Sequence, residues 1–239
     1  MNTFIKRTQV LYRVISINFV DLSFTPSISS SSSSSSSAYF LLNNKTKRFQ
    51  STHIKLKMTG RNTQEAKPLF QRLPQSIVPT HYDLTIQPYL DTFKFNGDVN
   101  IHIKVKEPTN NIVLYAAELE VDNAKLKSTS NNEQEGKIDY DKEGERITVN
   151  FNKKLETGDY ELALKFAGEI SSRMRGFYRN KYTSPDGNEV RYGASTQFEP
   201  ADCRRAFPCW DEPNFKATFD ITLITPKNLR AISNMVSNS

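Results

Sequence analysis

Apolar and polar residues alternate along most of the chain after residue 79, and this two-residue period is typical of half-buried β-strands. Tyr82, Leu84 and Ile86 form the first such run. Similar runs occupy residues 99–105, 147–151, 160–166 and 217–223. No long segment has the apolar spacing of an amphipathic helix. The pattern therefore predicts an all-β fold, arranged as an antiparallel sandwich or saddle.

Turn signals separate the predicted strands. Gly together with Asn or Asp favours turns at 95–98 and 185–188, and Gly144 favours one at 143–145. The polar, acid-rich residues 128–135 predict a surface loop. Short strands joined by such turns agree with the all-β prediction.

The first part of the chain has a different character. Residues 29–37 are nine consecutive serines, and such a segment cannot bury apolar surface. Residues 1–57 carry eight basic residues and one acidic residue, Asp21. We therefore predict a disordered, targeting-like extension over residues 1–67 and a folded β-domain over residues 68–239. Because the chain stops within its strand pattern, we expect this domain to be truncated.

Two interpretations of the extension remain open. Residues 3–24 are basic, acid-poor and partly amphipathic, with Lys6, Arg7 and Arg13 among aliphatic residues, as in a mitochondrial presequence. Alternatively, the extension has no targeting role and Met58 is the working start. No uninterrupted apolar run reaches about 18 residues, so we predict no integral membrane segment.

The positive charge of the whole chain comes from this extension. The formal net charge is +6, whereas residues 58–239 hold 24 basic and 25 acidic residues. A nucleic-acid-binding domain needs a basic patch on its folded part. No basic cluster there stands clear of nearby acids, so we predict no nucleic-acid partner.

Histidine and cysteine show none of the spacings that mark a metal or nucleophile site. His53, His81 and His102 lie in separate segments, and His-Glu-x-x-His does not occur. Cys203 and Cys209 have no histidine nearby and are predicted to be small buried thiols. We therefore predict no metal ligand and no catalytic residue in this chain.

Residues 196–213 have the most unusual composition of the chain. They include both cysteines, the only tryptophan and six charged residues in eighteen positions. We interpret Phe207, Pro208 and Trp210 as packing anchors. The charged residues other than Glu199 are interpreted mainly as an ion-pair scaffold around it, and they are Asp202, Arg204, Arg205, Asp211 and Glu212.

Gln197 and Glu199 are the candidate substrate-binding residues. Pro200 restricts Glu199 to an extended backbone, so Gln197 and Glu199 are expected on one face of a strand. A partly desolvated carboxylate can hold an ammonium group strongly. From the residues alone, a glutamate that balances Arg204 or Arg205 and an ordinary polar strand face remain alternatives.

Several segments resemble the N-terminal domain of the M1 family of zinc aminopeptidases, and most closely its puromycin-sensitive members. The resemblance covers residues 68–239. It rests on Arg72-Leu73-Pro74, Pro79-Thr80-His81-Tyr82-Asp83-Leu84, Gly176-Phe177-Tyr178-Arg179-Asn180-Lys181-Tyr182, Thr196-Gln197-Phe198-Glu199-Pro200 and, most specifically, Phe207-Pro208-Cys209-Trp210-Asp211-Glu212-Pro213. It implies a saddle-like antiparallel β-sandwich, in which residues 176–182 support the Gln197–Glu199 segment. Glu199 would bind the α-ammonium of a peptide, and Gln197 would shape the pocket for its first side chain.

The resemblance also implies a multidomain enzyme that removes N-terminal residues from peptides. Its zinc ligands and general base would lie beyond Ser239, in a catalytic domain that is the partner of this one. Puromycin-sensitive members are mostly cytosolic, which favours the cytoplasm, while the presequence-like N-terminus keeps the mitochondrion open. The alternative function is a truncated, non-catalytic module that binds peptides or another protein.

Overall fold

The structure is a computed structural model of the 239-residue chain. It describes residues 71–128, 132–184, 186–227 and 229–234, together with the backbone of residues 4–5 and 17–21. The serine run and Met58 lie outside the described residues. Phe4–Ile5 and Ile17–Asp21 are strands paired with strands of the β-domain, so the extension is not disordered at these positions. For the rest of residues 1–67 the disordered extension stays a prediction. No helix of the described residues is long and apolar enough to cross a membrane.

The described residues form thirteen strands and one single-turn 3-10 helix, Cys203–Arg205. The strands are β1 Phe4–Ile5, β2 Ile17–Asp21, β3 Ile77–Tyr89, β4 Lys94–Val105, β5 Thr109–Tyr115, β6 Leu119–Ser128, β7 Glu133–Asp141, β8 Arg146–Leu155, β9 Gly158–Glu169, β10 Gly176–Thr183, β11 Val190–Gln197, β12 Thr218–Leu223 and β13 Leu229–Ser233. The all-β prediction is confirmed.

The strands are arranged in two sheets. The larger has the order β1-β12-β3-β4-β9-β6-β7-β8-β5, and the smaller has the order β10-β11-β2-β13. Neighbouring strands are antiparallel, except that β12 runs parallel to β3. Hairpins can only make antiparallel pairs, so this parallel pair needs the long connection between the two strands.

The alternating pattern places one face of each long strand in the core. Val99, Ile101, Ile103 and Val105 of β4 are at most 1% exposed, while the residues between them are exposed or half-buried. The core is shared by the two sheets, because the ring centroids of Phe95 in β4 and Phe177 in β10 lie 5.1 Å apart. The predicted two-layer β arrangement is thus observed.

The polar region around residues 128–135 differs in part from the prediction. β6 continues to Ser128 and β7 begins at Glu133, so the connection is shorter than the predicted loop, and residues 129–131 lie outside the described part. The apolar pattern did not predict β7 because its side chains are exposed or half-buried. Among them, Ile138 packs against the core. Backbone pairing with β6 and β8 holds it as a strand, and backbone pairing leaves no hydrophobic signal.

Candidate functional site

The candidate site lies at the end of β11. Gln197 is the last residue of this strand and pairs with Gly176, the first residue of β10. The eight residue pairs between β10 and β11 form a regular antiparallel ladder. Residues 176–182 therefore support β11 as far as Gln197, while support of Glu199 stays a prediction.

Gln197 and Glu199 are exposed, and Phe198 between them is 3% exposed. The Phe198 ring meets the buried Phe207 ring edge to face, with centroids 6.1 Å apart. The backbone N–H of Asp202 donates to the Phe198 carbonyl over 2.8 Å, and the Glu199–Pro200 peptide bond is cis. β11 ends at Gln197 and Glu199 lies in the turn that follows, so the expected common strand face is not formed. The segment is anchored from within, and its two polar side chains are exposed.

Arg204 is the centre of a buried charge cluster behind this segment. Its Nε donates to Asp211 Oδ2 over 3.0 Å and one terminal nitrogen donates to Glu145 Oε2 over 3.1 Å. The guanidinium also lies 3.8 Å from the centroid of the Tyr115 ring. Burial lowers the pKa of Arg204, but the hydrogen bond and charge of Asp211, together with the charge of Glu145 and others nearby, raise the pKa above its ordinary value.

Arg205 extends the cluster toward solvent. Its Nε donates to Asp202 Oδ1 over 2.9 Å, and its terminal nitrogens donate to Glu118 and Glu145. Burial lowers the pKa of Arg205, whereas Asp202 and the two glutamates together raise it above its ordinary value. The predicted ion-pair scaffold is thus observed for Asp202, Arg204, Arg205 and Asp211.

Glu212 belongs to the same cluster but acts through hydrogen bonds. Its Oε1 accepts from the Leu73 backbone N–H over 2.7 Å and from the Tyr115 hydroxyl over 3.1 Å. Burial and the neighbouring Glu212 carboxylate raise the pKa of Tyr115 to about 12. The carboxylate therefore ties the start of the domain to β5, and the interpretation of Glu212 as an ion-pair partner is corrected.

The predicted packing anchors are all buried, at 0% exposure for Phe207 and 4% for Trp210. Cys209 forms a two-residue antiparallel bridge with Tyr115, and the backbone N–H of Trp210 donates to the Tyr82 hydroxyl over 3.2 Å. Burial and the neighbouring Cys203 thiol raise the pKa of the Cys209 thiol well above its usual value. Cys209 is thus an unreactive buried thiol, as predicted, whereas Cys203 is half-buried, so the prediction of two buried thiols holds for Cys209 only.

Sequence reasoning missed the two glutamates that pair with the arginines. Glu118 and Glu145 lie 87 and 60 residues before Arg205, and both have positive φ angles, 57° and 52°. The turn predicted at residues 143–145 includes Glu145, but it does not indicate that Glu145 pairs with Arg204 and Arg205. Contacts over such separations follow from sheet topology, which local spacing does not encode.

Comparisons with known proteins agree with this architecture. Residues 78–239 match the Peptidase M1 N-terminal domain. The chain is 44% identical over 163 residues to Aminopeptidase 2 of Candida albicans, covering 68% of this chain and 17% of that protein. It is 41% identical over 167 residues to "Aminopeptidase 2, mitochondrial" of Saccharomyces cerevisiae, covering 68% of this chain and 17% of the relative.

A further relative is the Puromycin-sensitive aminopeptidase of Caenorhabditis elegans, which is 38% identical over 167 residues, covering 70% of this chain and 18% of the relative. The chain thus spans less than a fifth of the length of these relatives. The family match covers more than half of this chain, and it coincides with the two-sheet β-domain that presents Gln197 and Glu199. The chain therefore belongs to the peptidase M1 family, through its N-terminal domain.

Proposed function

We propose that this chain is the N-terminal part of a zinc aminopeptidase and supplies the anchor for the substrate N-terminus. In this proposal the Glu199 carboxylate binds the α-ammonium of the peptide, and Gln197 lines the pocket of its first side chain. The observation that carries the proposal is that both side chains are exposed at the end of β11, on a segment anchored by buried Phe198. A rigid support of this kind preorganises a binding group.

The arrangement of charges supports the role of Glu199. Arg204 and Arg205 are engaged with Asp211, Glu145, Asp202 and Glu118. The four acids outnumber the two arginines, so the cluster as a whole is not a cationic surface that would repel a substrate ammonium. An incoming catalytic domain would complete the site and remove water from the ion pair, which strengthens it.

The zinc of such an enzyme would be held outside these 239 residues. His81 and His102 lie in β3 and β4, and the sequence contains no His-Glu-x-x-His, so the residues present do not form the catalytic zinc set. When bound in the catalytic domain, zinc would activate the hydrolytic water. The task of this chain is to position the peptide for that attack.

The charge of Glu199 predicts which peptides are preferred. A carboxylate at the N-terminal anchor repels an acidic first side chain, so neutral or basic first residues are favoured.

For the compartment we propose the cytoplasm, with the mitochondrion as the alternative, because the yeast relative is named "Aminopeptidase 2, mitochondrial".

The decisive experiment uses the enzyme in which this domain is joined to its catalytic domain. Glu199→Gln should lower kcat/KM for peptides with a free N-terminus by at least about thirtyfold, since truncating one partner of a desolvated charge pair costs about 2–5 kcal/mol. Glu189→Gln is the matched control, because Glu189 is an exposed carboxylate just before β11. Equal rates for wild type and Glu199→Gln would refute the anchor role.

The non-catalytic alternative can be tested on the 239-residue chain itself. The exposure of Gln197 and Glu199 would allow a peptide N-terminus to bind without any further domain. Calorimetry with paired free and N-acetylated peptides measures this. Binding of the free form alone, lost in Glu199→Gln, would support a binding module, whereas no binding of either would favour a site completed by the catalytic domain.

A further inference from the structure

We propose that His81, Asp83 and Asp220 form a binding site for a divalent transition-metal ion on the outer face of the larger sheet. One ligand atom from each of the three lies within 4.8 Å of the other two. The local sequence gives no sign of this cluster, because Asp220 lies 137 positions after Asp83. The sheet brings them together through the parallel pairing of β12 with β3.

The strand register explains the cluster. His81 and Asp83 are two residues apart in β3 and therefore share a face. Asp220 of β12 is the register partner of Asp83, and His102 of β4 is the register partner of His81. The side chains of Tyr82 and Leu84 point the other way, into the core.

The distances suit a metal ion. His81 Nε2 lies 3.3 Å from Asp83 Oδ1 and 3.9 Å from Asp220 Oδ2. Two ligand atoms bound tetrahedrally to zinc at about 2.1 Å are separated by roughly 3.4 Å. Small rotations of the two carboxylates would therefore be sufficient to close the site around an ion.

Hydrogen bonds prepare His81 as a ligand. The Thr218 hydroxyl donates to the Thr80 carbonyl over 3.3 Å, so its oxygen accepts from Nδ1 of His81 over 2.5 Å. We therefore assign a proton to Nδ1, so Nε2 is the ring nitrogen that faces the carboxylates and can bind an ion. A cation between the three groups would be attracted by both carboxylates.

His102 has a positioning role in this site. Its Nε2 lies 3.3 Å from Oδ2 of Asp83, the oxygen that does not face His81. A hydrogen bond from an outer group to a ligating carboxylate fixes its orientation. His102 therefore holds Asp83 in place.

The chemistry of the ligands selects the class of ion. An imidazole with two carboxylates suits zinc and similar first-row ions, whereas magnesium and calcium favour oxygen ligands alone. The side chains of His81 and Asp220 are 23% and 19% exposed, so an ion can enter and water can complete its coordination. Bound there, the ion would link β12 to β3.

The test titrates zinc into the 239-residue chain after removal of metal with a chelator. Calorimetry should show one zinc ion per chain, with much weaker binding of magnesium, and zinc should raise the Tm. His81→Ala and the isosteric Asp220→Asn should each weaken binding by at least about tenfold. His102→Ala should weaken it less. Peptidase activity is not a readout, so the result is independent of the proposed function.

Three controls separate this site from other zinc ligands. Asp98→Asn removes an exposed carboxylate of β4 that pairs with Lys165, and it should leave zinc affinity unchanged. The double variant Cys203→Ser, Cys209→Ser and the single variant His53→Ala should also retain binding. With cobalt as the probe, thiolate ligation gives an intense charge-transfer band that nitrogen and oxygen ligands lack.

Three outcomes would overturn the proposal. They are the absence of zinc binding, zinc affinity unchanged in both His81→Ala and Asp220→Asn, and a thiolate charge-transfer band with cobalt. Circular dichroism of each variant shows whether it is folded. If His81→Ala does not fold, Asp220→Asn decides the matter, because it keeps the shape of the side chain.

Discussion

At the scale of single residues, Arg204 shows how charge is accommodated inside this domain. Its side chain is 8% exposed and that of Asp211 is 2% exposed, so both charges are largely removed from water. Each is tolerated because it has the other, together with Glu145 and the Tyr115 ring. Removing one member leaves an uncompensated charge.

We predict that Arg204→Ala lowers the free energy of unfolding by about 3–5 kcal/mol, because Asp211 then remains buried without its cation. Urea unfolding followed by tryptophan fluorescence measures this. Arg191→Ala is the control, since Arg191 pairs with the exposed Glu189 and such a pair contributes about 0–1 kcal/mol. A loss for Arg204→Ala no larger than that of the control would contradict the proposed importance of the buried pair.

At the scale of elements, the start of β10 depends on a glycine. Gly176 has φ +62°, and a Cβ there would lie 2.7 Å from the Cβ of Arg205. β10 therefore approaches the 3-10 turn Cys203–Arg205 more closely than any other residue would allow. The close approach sets the Gln197 end of β11 against the charge cluster, because Gly176 pairs with Gln197.

We predict that Gly176→Ala destabilises the domain by about 2–4 kcal/mol, through left-handed backbone strain and overlap with Arg205. Gly187→Ala is the matched control, because Gly187 has φ +76° but open space around the added Cβ. Its cost should be about 1–2 kcal/mol from the backbone alone. Equal losses of unfolding free energy in the two variants would show that the contact with Arg205 is unimportant.

At the scale of the whole molecule, the two sheets share one core, but the strands are not equally buried. β4 lies between β3 and β9, and its inward residues are at most 1% exposed. β7 also has a strand on each side, yet its side chains are exposed or half-buried. Backbone hydrogen bonds open most easily where few apolar contacts must be broken.

We predict that amides of β7 exchange with deuterium much faster than those of β4, because opening β4 requires disruption of the core. Hydrogen exchange read by mass spectrometry on peptides covering each strand tests this. β9, which pairs with β4 and β6, is the internal control and should exchange as slowly as β4. Similar rates in β4 and β7 would indicate that the sheet opens only as a unit.

The sequence alone determined the class of fold and the position of the candidate anchor. Alternation at Val99–Val105 predicts a strand because side chains in a strand have a period of two, and that period is local. The motif around Gln197 and Glu199 is likewise contiguous, so both residues could be named in advance. Even the supporting role of residues 176–182 followed from the resemblance.

Tertiary structure alone decided which distant residues meet. Glu145 reaches Arg204 and Arg205, and Asp220 reaches Asp83, through strand order and register. These depend on the burial of all apolar faces together, which no local window of sequence contains. β7 is also decided by tertiary structure. Its backbone pairs with β6 and β8, and its polar sequence gives no strand pattern from which this pairing could be predicted.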